Sequence, residues 1–127
     1  MQYLNLEEIL AIHYEIIKQT GGSQGIRDIN LLYSTIERPK SYFTNKPLYK
    51  GIYNKAVALL HSLVLNHAFL DGNKRTGIAA TSRFLYINGC ILTPKKDQTH
   101  EFLLKIINKK VDFNEIVQWL KENAEKI

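Results

Sequence analysis

Apolar side chains recur along this chain at helical spacing, and turn-forming residues break them into segments. Leu6, Ile9, Leu10, His13, Ile16 and Ile17 fall on one face of a first helix, because residues three and four apart lie above one another on a helix. Asn5 with Glu8 three positions later has the form of a capping box, which satisfies N–H groups that a helix start leaves unpaired. Gly21-Gly22 ends the segment. His13 lies on the apolar stripe and is expected to be a buried, hydrogen-bonded core residue rather than a ligand. After a connector of glycines and polar residues, Asp28 caps a second helix that carries Leu31, Leu32, Tyr33 and Ile36, reaches about Arg38 and stops at Pro39.

From 39 to 51 the pattern turns aromatic and basic, with Lys40, Tyr42, Phe43, Lys46, Tyr49 and Lys50 in a loop too long for a simple turn. A third helix is expected over 52–66 or 67. Ala56, Leu60 and Leu63 form a line that His67 continues, which predicts a half-sheltered His67 at the helix end. A fourth helix follows from Lys74 to about Asn88, with Gly77, Ala79 and Ala80 allowing close helix approach and Gly89 as its C-cap. Cys90-Ile91-Leu92-Thr93 reads as a short extended piece. A fifth helix over 97–109 turns Leu103, Ile106 and Ile107 inward. The last starts at Asp112, capped with Glu115, and buries Phe113, Ile116, Val117 and Leu120, with Trp119 as an anchor. No repeat or linker is visible. The expected architecture is all-α, a compact single-domain bundle of about six helices over 1–127, with a polar loop between two central helices.

That loop is the exception to the apolar centre: His67-Ala68-Phe69-Leu70-Asp71-Gly72-Asn73-Lys74-Arg75-Thr76. A helix beginning near Asn73 would aim its unpaired N–H groups and the positive end of its dipole outward beside Lys74 and Arg75, an arrangement that attracts anions and phosphate in particular. His67, six positions before Asn73, could act as general base on a hydroxyl. Asp71 suits Mg²⁺, an ion held by one or two carboxylates with phosphates and waters. Gly72 lets backbone approach phosphate. Asn73 can donate to a phosphate oxygen or cap the helix, Lys74 is a movable point charge, and Arg75 can bind spread negative charge through two donors. Phe69 is the expected core anchor of the loop. The bland alternative is a turn with solvated charges.

Charge and cysteine content narrow the setting. The net charge of +5 favours anionic partners without choosing among them. The single cysteine excludes an internal disulfide and fits a reducing compartment. With no signal-like segment and no apolar run long enough for a bilayer, the expected location is the cytoplasm, with no membrane contact.

At these residues the chain resembles the Fic/Doc superfamily, whose motif H-x-F-x-[DE]-G-N-x-R is matched at every fixed position from His67 to Arg75. The likeness is greatest to the death-on-curing (Doc) branch and extends to Gly21-Gly22, Gly25-Ile26-Arg27-Asp28, Leu31-Leu32, Arg38-Pro39 and Trp119-Leu120. The resemblance implies a small all-α fold and a toxin of a toxin–antitoxin pair that transfers the terminal phosphoryl group of ATP to a threonine of translation elongation factor Tu. Adenylyl transfer is the Fic alternative. Lys74 stands where the Fic motif has a second glycine and Ile78 where it has a second arginine, and both departures favour phosphoryl transfer. By the same resemblance His67 is the base, Asp71 the Mg²⁺ ligand, Gly72, Asn73, Lys74 and Arg75 the nucleotide contacts, and the 39–51 loop a target-docking flap. No Fic self-inhibitory signature is present, so restraint is expected from an antitoxin supplied in trans. Direct nucleic acid binding is not expected. From a different class, a basic RNA-binding or RNA-cleaving toxin would use His67, Arg75 and the aromatic loop, with affinity falling steeply in salt.

Overall fold

A computed structural model describes residues 1–127 throughout. Six helices and two pairs of very short strands follow in order: α1 Leu6–Thr20, α2 Ile29–Glu37, β1 Tyr42–Phe43, β2 Lys46–Pro47, α3 Gly51–Leu65, α4 Asn73–Ile87, β3 Cys90–Leu92, α5 Lys96–Ile107, α6 Phe113–Glu122 and β4 Ala124–Lys126. The all-α bundle is as expected. Both capping boxes form, Asn5 with Glu8 and Asp112 with Glu115, and Asp28 caps α2 by accepting from the Leu31 N–H. No helix is long and apolar enough to cross a membrane.

α3 is the central rod. Ala56, Val57, Ala58, Leu60, Leu63 and Val64 are all sealed from solvent, and a helix that is apolar on most of its circumference is buried among the others. Its largest partner surface is α4. Gly77 of α4 makes the close approach possible, since a Cβ there would stand 2.9 Å from Val64 Cγ2. The core continues through Phe84, Leu85, Phe102, Ile106, Ile116 and Leu120. Trp119 stacks on Phe102 with ring centroids 4.3 Å apart, which anchors α6 as its position suggested.

Two short pairings lay outside the sequence pattern. β3 pairs antiparallel with β4, Cys90 opposite Lys126 and Leu92 opposite Ala124, so the chain end folds back along the segment after α4. The 39–51 loop is a hairpin, β1 against β2, turning through Thr44 and Asn45 with φ of 49° and 64°. Both central residues left-handed is the geometry that matches strand twist in two-residue hairpins. Tyr42 and Phe43 project outward, 69% and 70% exposed.

The hairpin's base is held from one side by Arg38, in a single 3-10 turn after α2. Its Nε donates to Tyr49 Oη at 2.7 Å and its Nη1 donates to Ser62 Oγ at 2.7 Å and to His61 Nδ1 at 3.2 Å. The guanidinium also lies over the Tyr49 ring, which stacks on Phe113 of α6. All of Arg38's partners are neutral. His61 must offer a lone pair to an N–H, and burial first, then the Arg38 charge, lower its pKa from the usual 6.5. Below that value the unfolded chain takes up a proton that the folded chain refuses, so His61 leaves stability intact above it and erodes stability as pH falls toward its folded pKa. Urea midpoints are therefore expected to fall between pH 7.5 and 5.5 by more in the wild-type chain than in His61→Gln. Equal pH slopes in the two proteins would refute the Arg38–His61 coupling.

Candidate functional site

The motif loop joins α3 to α4, and its backbone is paired on nearly every side. Arg27 donates from Nη2 to the Asn66 carbonyl at 2.9 Å and from Nε to the His67 carbonyl, which satisfies acceptors at the end of α3. Ala68 O accepts the N–H groups of Arg27 and Asp28 at 2.8 and 3.0 Å, and the Leu70 N–H donates to Gly25 O at 3.1 Å. The glycine-rich segment before α2, expected to be a mere connector, is thus a strut for the motif loop. Phe69 is buried as expected.

His13 supplies the second brace. It is 3% exposed, stacks on Phe69 at 3.8 Å between centroids, and donates from Nε2 to the Asp71 carbonyl at 2.8 Å. A carbonyl oxygen only accepts, which places the proton on Nε2. The expectation of a satisfied core histidine holds, and its partner proves to be the motif loop.

Asn73 supplies the third. Its Oδ1 accepts from the Phe69 N–H at 3.1 Å and its Nδ2 donates to the Phe69 carbonyl at 3.0 Å. The side chain, expected to reach phosphate or cap the helix, is turned onto the loop backbone instead of capping the helix. For an anion Asn73 retains its backbone N–H and the second N–H of its amide.

The start of α4 is left open by the same arrangement. Gly72 is its N-cap, with φ +75°, and brings no side chain to the helix end. The positive φ favours glycine, and a Cβ here would stand 2.7 Å from Ile17 Cδ1, the far end of a side chain that would have to shift. The first bond closing the helix runs from the Thr76 N–H to Gly72 O. The N–H groups of Asn73, Lys74 and Arg75 have no acceptor within the chain. No acidic side chain occupies the first turn, and those of Lys74 and Arg75 are exposed.

These N–H groups border a cleft of about 470 Å³ lined by His67, Asp71, Gly72, Asn73, Lys74 and Arg75, with Leu70 at one side. All six sequence-nominated residues are brought together. α5 closes the other side with Leu103 and Ile107 and adds His100, which sequence reasoning passed over. The available signal was spacing: His100, Leu103 and Ile107 share a helical face, yet no motif marks a lone exposed histidine.

His67 departs from expectation in one respect. It is exposed and lies beyond α3, whose C-cap is Asn66. Its φ is 51°, a left-handed turn that reverses the chain under the Arg27 guanidinium and swings His67 off the α3 stripe. Ala68 and Phe69 take the buried positions instead. The imidazole makes no hydrogen bond within the chain and is free for a substrate. Asp71 is also exposed; its Oδ1 accepts from the Gly72 N–H at 2.9 Å and its Oδ2 from the Ser23 N–H at 3.3 Å. A Cβ on Gly22 would stand 2.7 Å from Oδ2, so glycine admits this contact. No group of three or more His, Cys, Asp or Glu is present. One oriented carboxylate suits Mg²⁺ arriving with a polyphosphate that completes the octahedron.

A family model described as Fic/DOC family matches residues 3–85. The curated protein Toxin Doc of Mycolicibacterium smegmatis is 34% identical to this chain over 117 residues, covering 91% of this chain and 88% of that protein.

Two substitutions test the braces. Asn73→Ala strips both Phe69 backbone groups of their buried partners and is expected to cost about 1–3 kcal/mol of unfolding free energy; an unchanged urea midpoint would return Asn73 to the role of a direct ligand. Gly72→Ala forces a side chain against Ile17 at positive φ and is expected to cost about 1–3 kcal/mol by the same assay.

Proposed function

This chain belongs to the Fic/DOC family, and on that premise we propose that it is a toxin that phosphorylates a threonine of translation elongation factor Tu, with Mg²⁺-ATP as donor. Proteins of this family are enzymes that move nucleotide-derived groups onto other proteins, and toxin function is the coarser reading that its relative Toxin Doc supports.

The observation that carries the proposal is the meeting, across one cleft, of an open helix N-terminus with three unpaired N–H groups and a histidine ring free of internal bonds. The target hydroxyl oxygen attacks the terminal phosphorus while His67 takes its proton. The bond from that phosphorus to the bridging oxygen breaks, ADP departs, and the histidine returns its proton to water. The charge on the transferring group is met by the N–H groups of Asn73, Lys74 and Arg75, which the loop holds in place and which need no reorganisation as the reaction proceeds, and by the two exposed cationic side chains. Mg²⁺ held by Asp71 and the phosphates would neutralise further charge.

Exposure of His67 agrees with a macromolecular acceptor, since a hydroxyl on another protein must reach it from solvent. The hairpin with its outward Tyr42 and Phe43 is the surface for that protein to dock on. Lys74 and Ile78, at positions where an adenylyl transferase of this family has glycine and arginine, favour terminal phosphoryl transfer. Restraint falls to an antitoxin acting in trans, and the charge of +5 would attract an acidic one. An elongation-factor target places the protein in the cytoplasm.

Purified protein incubated with Mg²⁺-ATP and elongation factor Tu is expected to add one phosphoryl group to the factor by intact mass. His67→Ala and Asp71→Ala are each expected to slow this at least about a hundredfold. Addition of an adenylyl group would overturn the inference from Lys74 and Ile78. RNA cleavage by the wild-type chain, insensitive to Asp71→Ala, would overturn the kinase proposal altogether.

A further inference from the structure

From Tyr42 to Leu48 no residue of the hairpin is buried, so nothing along its length fixes its direction. Its direction is set at the root. Arg38 and Tyr49 hold one side, and at the other lies a buried charge that neither the fold nor the chemistry at His67 has used. Lys55 of α3 is 9% exposed, on the helix that is otherwise the apolar rod of the core, and it has no carboxylate partner. Its ammonium donates to the Pro39 carbonyl at 3.1 Å and lies 5.7 Å from the centre of the Tyr3 ring. The Lys40 ammonium lies 5.5 Å from the same ring centre.

A buried ammonium is costly to desolvate, and an aliphatic side chain of the same length would fill the space without that cost. What the ammonium adds is direction. Pro39 is the buried middle residue of the 3-10 turn Arg38–Lys40, and its carbonyl lies in the plane of the peptide that leads through Lys40 and Ser41 into β1. Pinning that oxygen to α3 therefore aims the strand. Tyr3 extends the constraint to α4. Its ring packs on Phe84 with centroids 6.1 Å apart, and the preceding Gln2 exchanges two backbone hydrogen bonds of 2.8 Å with the Asn88 side chain. Cation–π attraction to the ring ties both lysines to this N-terminal strap. Thus α4 presents its N–H groups to the cleft at one end and clasps the strap at the other, about 22 Å away along 15 residues. One rod indexes both.

We infer, on the footing that the hairpin docks the acceptor protein, that Lys55 is a positioning residue for that acceptor. With Tyr3 it fixes the hairpin relative to α4, and so fixes where the acceptor hydroxyl arrives beside His67. It touches neither nucleotide nor acceptor. A hairpin held in this way is a preset template, ordered on folding rather than on docking, and the affinity for the acceptor is not reduced by the cost of ordering it. Freed at its root, the hairpin keeps its turn through Thr44 and Asn45 but samples many directions. Acceptor affinity then falls while ATP binding is untouched.

Lys55→Met keeps the length of the side chain and deletes its charge and its donors. In steady-state phosphorylation of elongation factor Tu it is expected to raise the KM for the factor about tenfold, with kcat and the KM for ATP each within about twofold of wild type. Amide hydrogen exchange gives a second reading that needs no acceptor. The Leu48 N–H, which closes the hairpin onto Ser41 O at 2.9 Å, is expected to exchange at least about tenfold faster in Lys55→Met while amides of α4 keep their wild-type rates. Tyr3→Leu retains an apolar contact with Phe84 and removes the ring, so it should move both readings in the same direction even if Lys55→Met folds poorly. Phe43→Ser, at the hairpin's exposed face, separates the inference from its footing. If Phe43→Ser leaves the KM for the factor unchanged, the hairpin is not the docking surface and the footing fails. If Phe43→Ser raises that KM while Lys55→Met and Tyr3→Leu do not, or if Leu48 exchange is unchanged in both, the positioning role alone is overturned. Equal loss of ATP and acceptor affinity in Lys55→Met would overturn it too, as the mark of a general defect in the fold.

Discussion

The N-terminus of α4 must be left unsatisfied while the loop leading into it is held rigid, and most of the molecule's unusual residues answer to this one requirement. Three of the six helix starts recruit an N-cap side chain, Asn5, Asp28 and Asp112 for α1, α2 and α6, and those of α3, α4 and α5 do not. At α4 the cap is Gly72, which has no side chain to offer. Asn73, the first helical residue, turns its amide backward onto Phe69. The loop therefore draws on partners far away in sequence: Gly25 to Asp28 pair with Ala68 and Leu70, Arg27 closes the end of α3, and His13 reaches the Asp71 carbonyl. Each satisfies the loop without covering the three N–H groups. Ordering a flexible loop only on substrate binding would subtract from affinity, and this scaffold avoids that loss.

Electrostatics reinforce the same asymmetry. The chain has 17 Lys and Arg residues, yet the only ion pair within it joins Lys40 to Glu37 at 3.3 Å. Even the half-buried Arg38 is matched with a phenol, a hydroxyl and a neutral imidazole. Internal carboxylates thus quench little of the positive field, and at short range an anion entering the cleft meets Lys74 and Arg75 beside a helix dipole of the same sign. Hydrogen bonds to neutral groups fix the geometry. Charge remains available for whatever binds.

The sequence was legible wherever a property is local. Helical periodicity and caps located all six helices to within a few residues, because spacing and capping chemistry are written in neighbouring positions. Gathering His67, Asp71, Gly72, Asn73, Lys74 and Arg75 into one site was legible for the same reason: they lie on one loop and one helix turn. Long-range pairing was not. β4 has no strand-like composition and forms only because the β3 edge is there to pair with. The strut role of Gly25 to Asp28 depends on a partner some forty residues later. His67 was misplaced by extending a helical stripe one residue past the point where Arg27 makes the chain turn.

His100 shows why the second half of a site is harder to read than the first. A motif marks residues whose mutual spacing is fixed by one element, whereas the opposite wall comes from whichever helix packs across the opening, here α5. That wall need only supply shape and a few polar groups, so its residues carry no fixed spacing to the motif. A second cleft adjoins the first at Arg75, His100 and Leu103, and its floor follows the same rule, with Ile78 from α4, Pro94 and Leu103 from the α5 region and Thr20 from α1. The motif side of the first cleft is therefore concentrated in one stretch of sequence. The lining of the second cleft is distributed over three, and only the packing of α1, α4 and α5 brings it together.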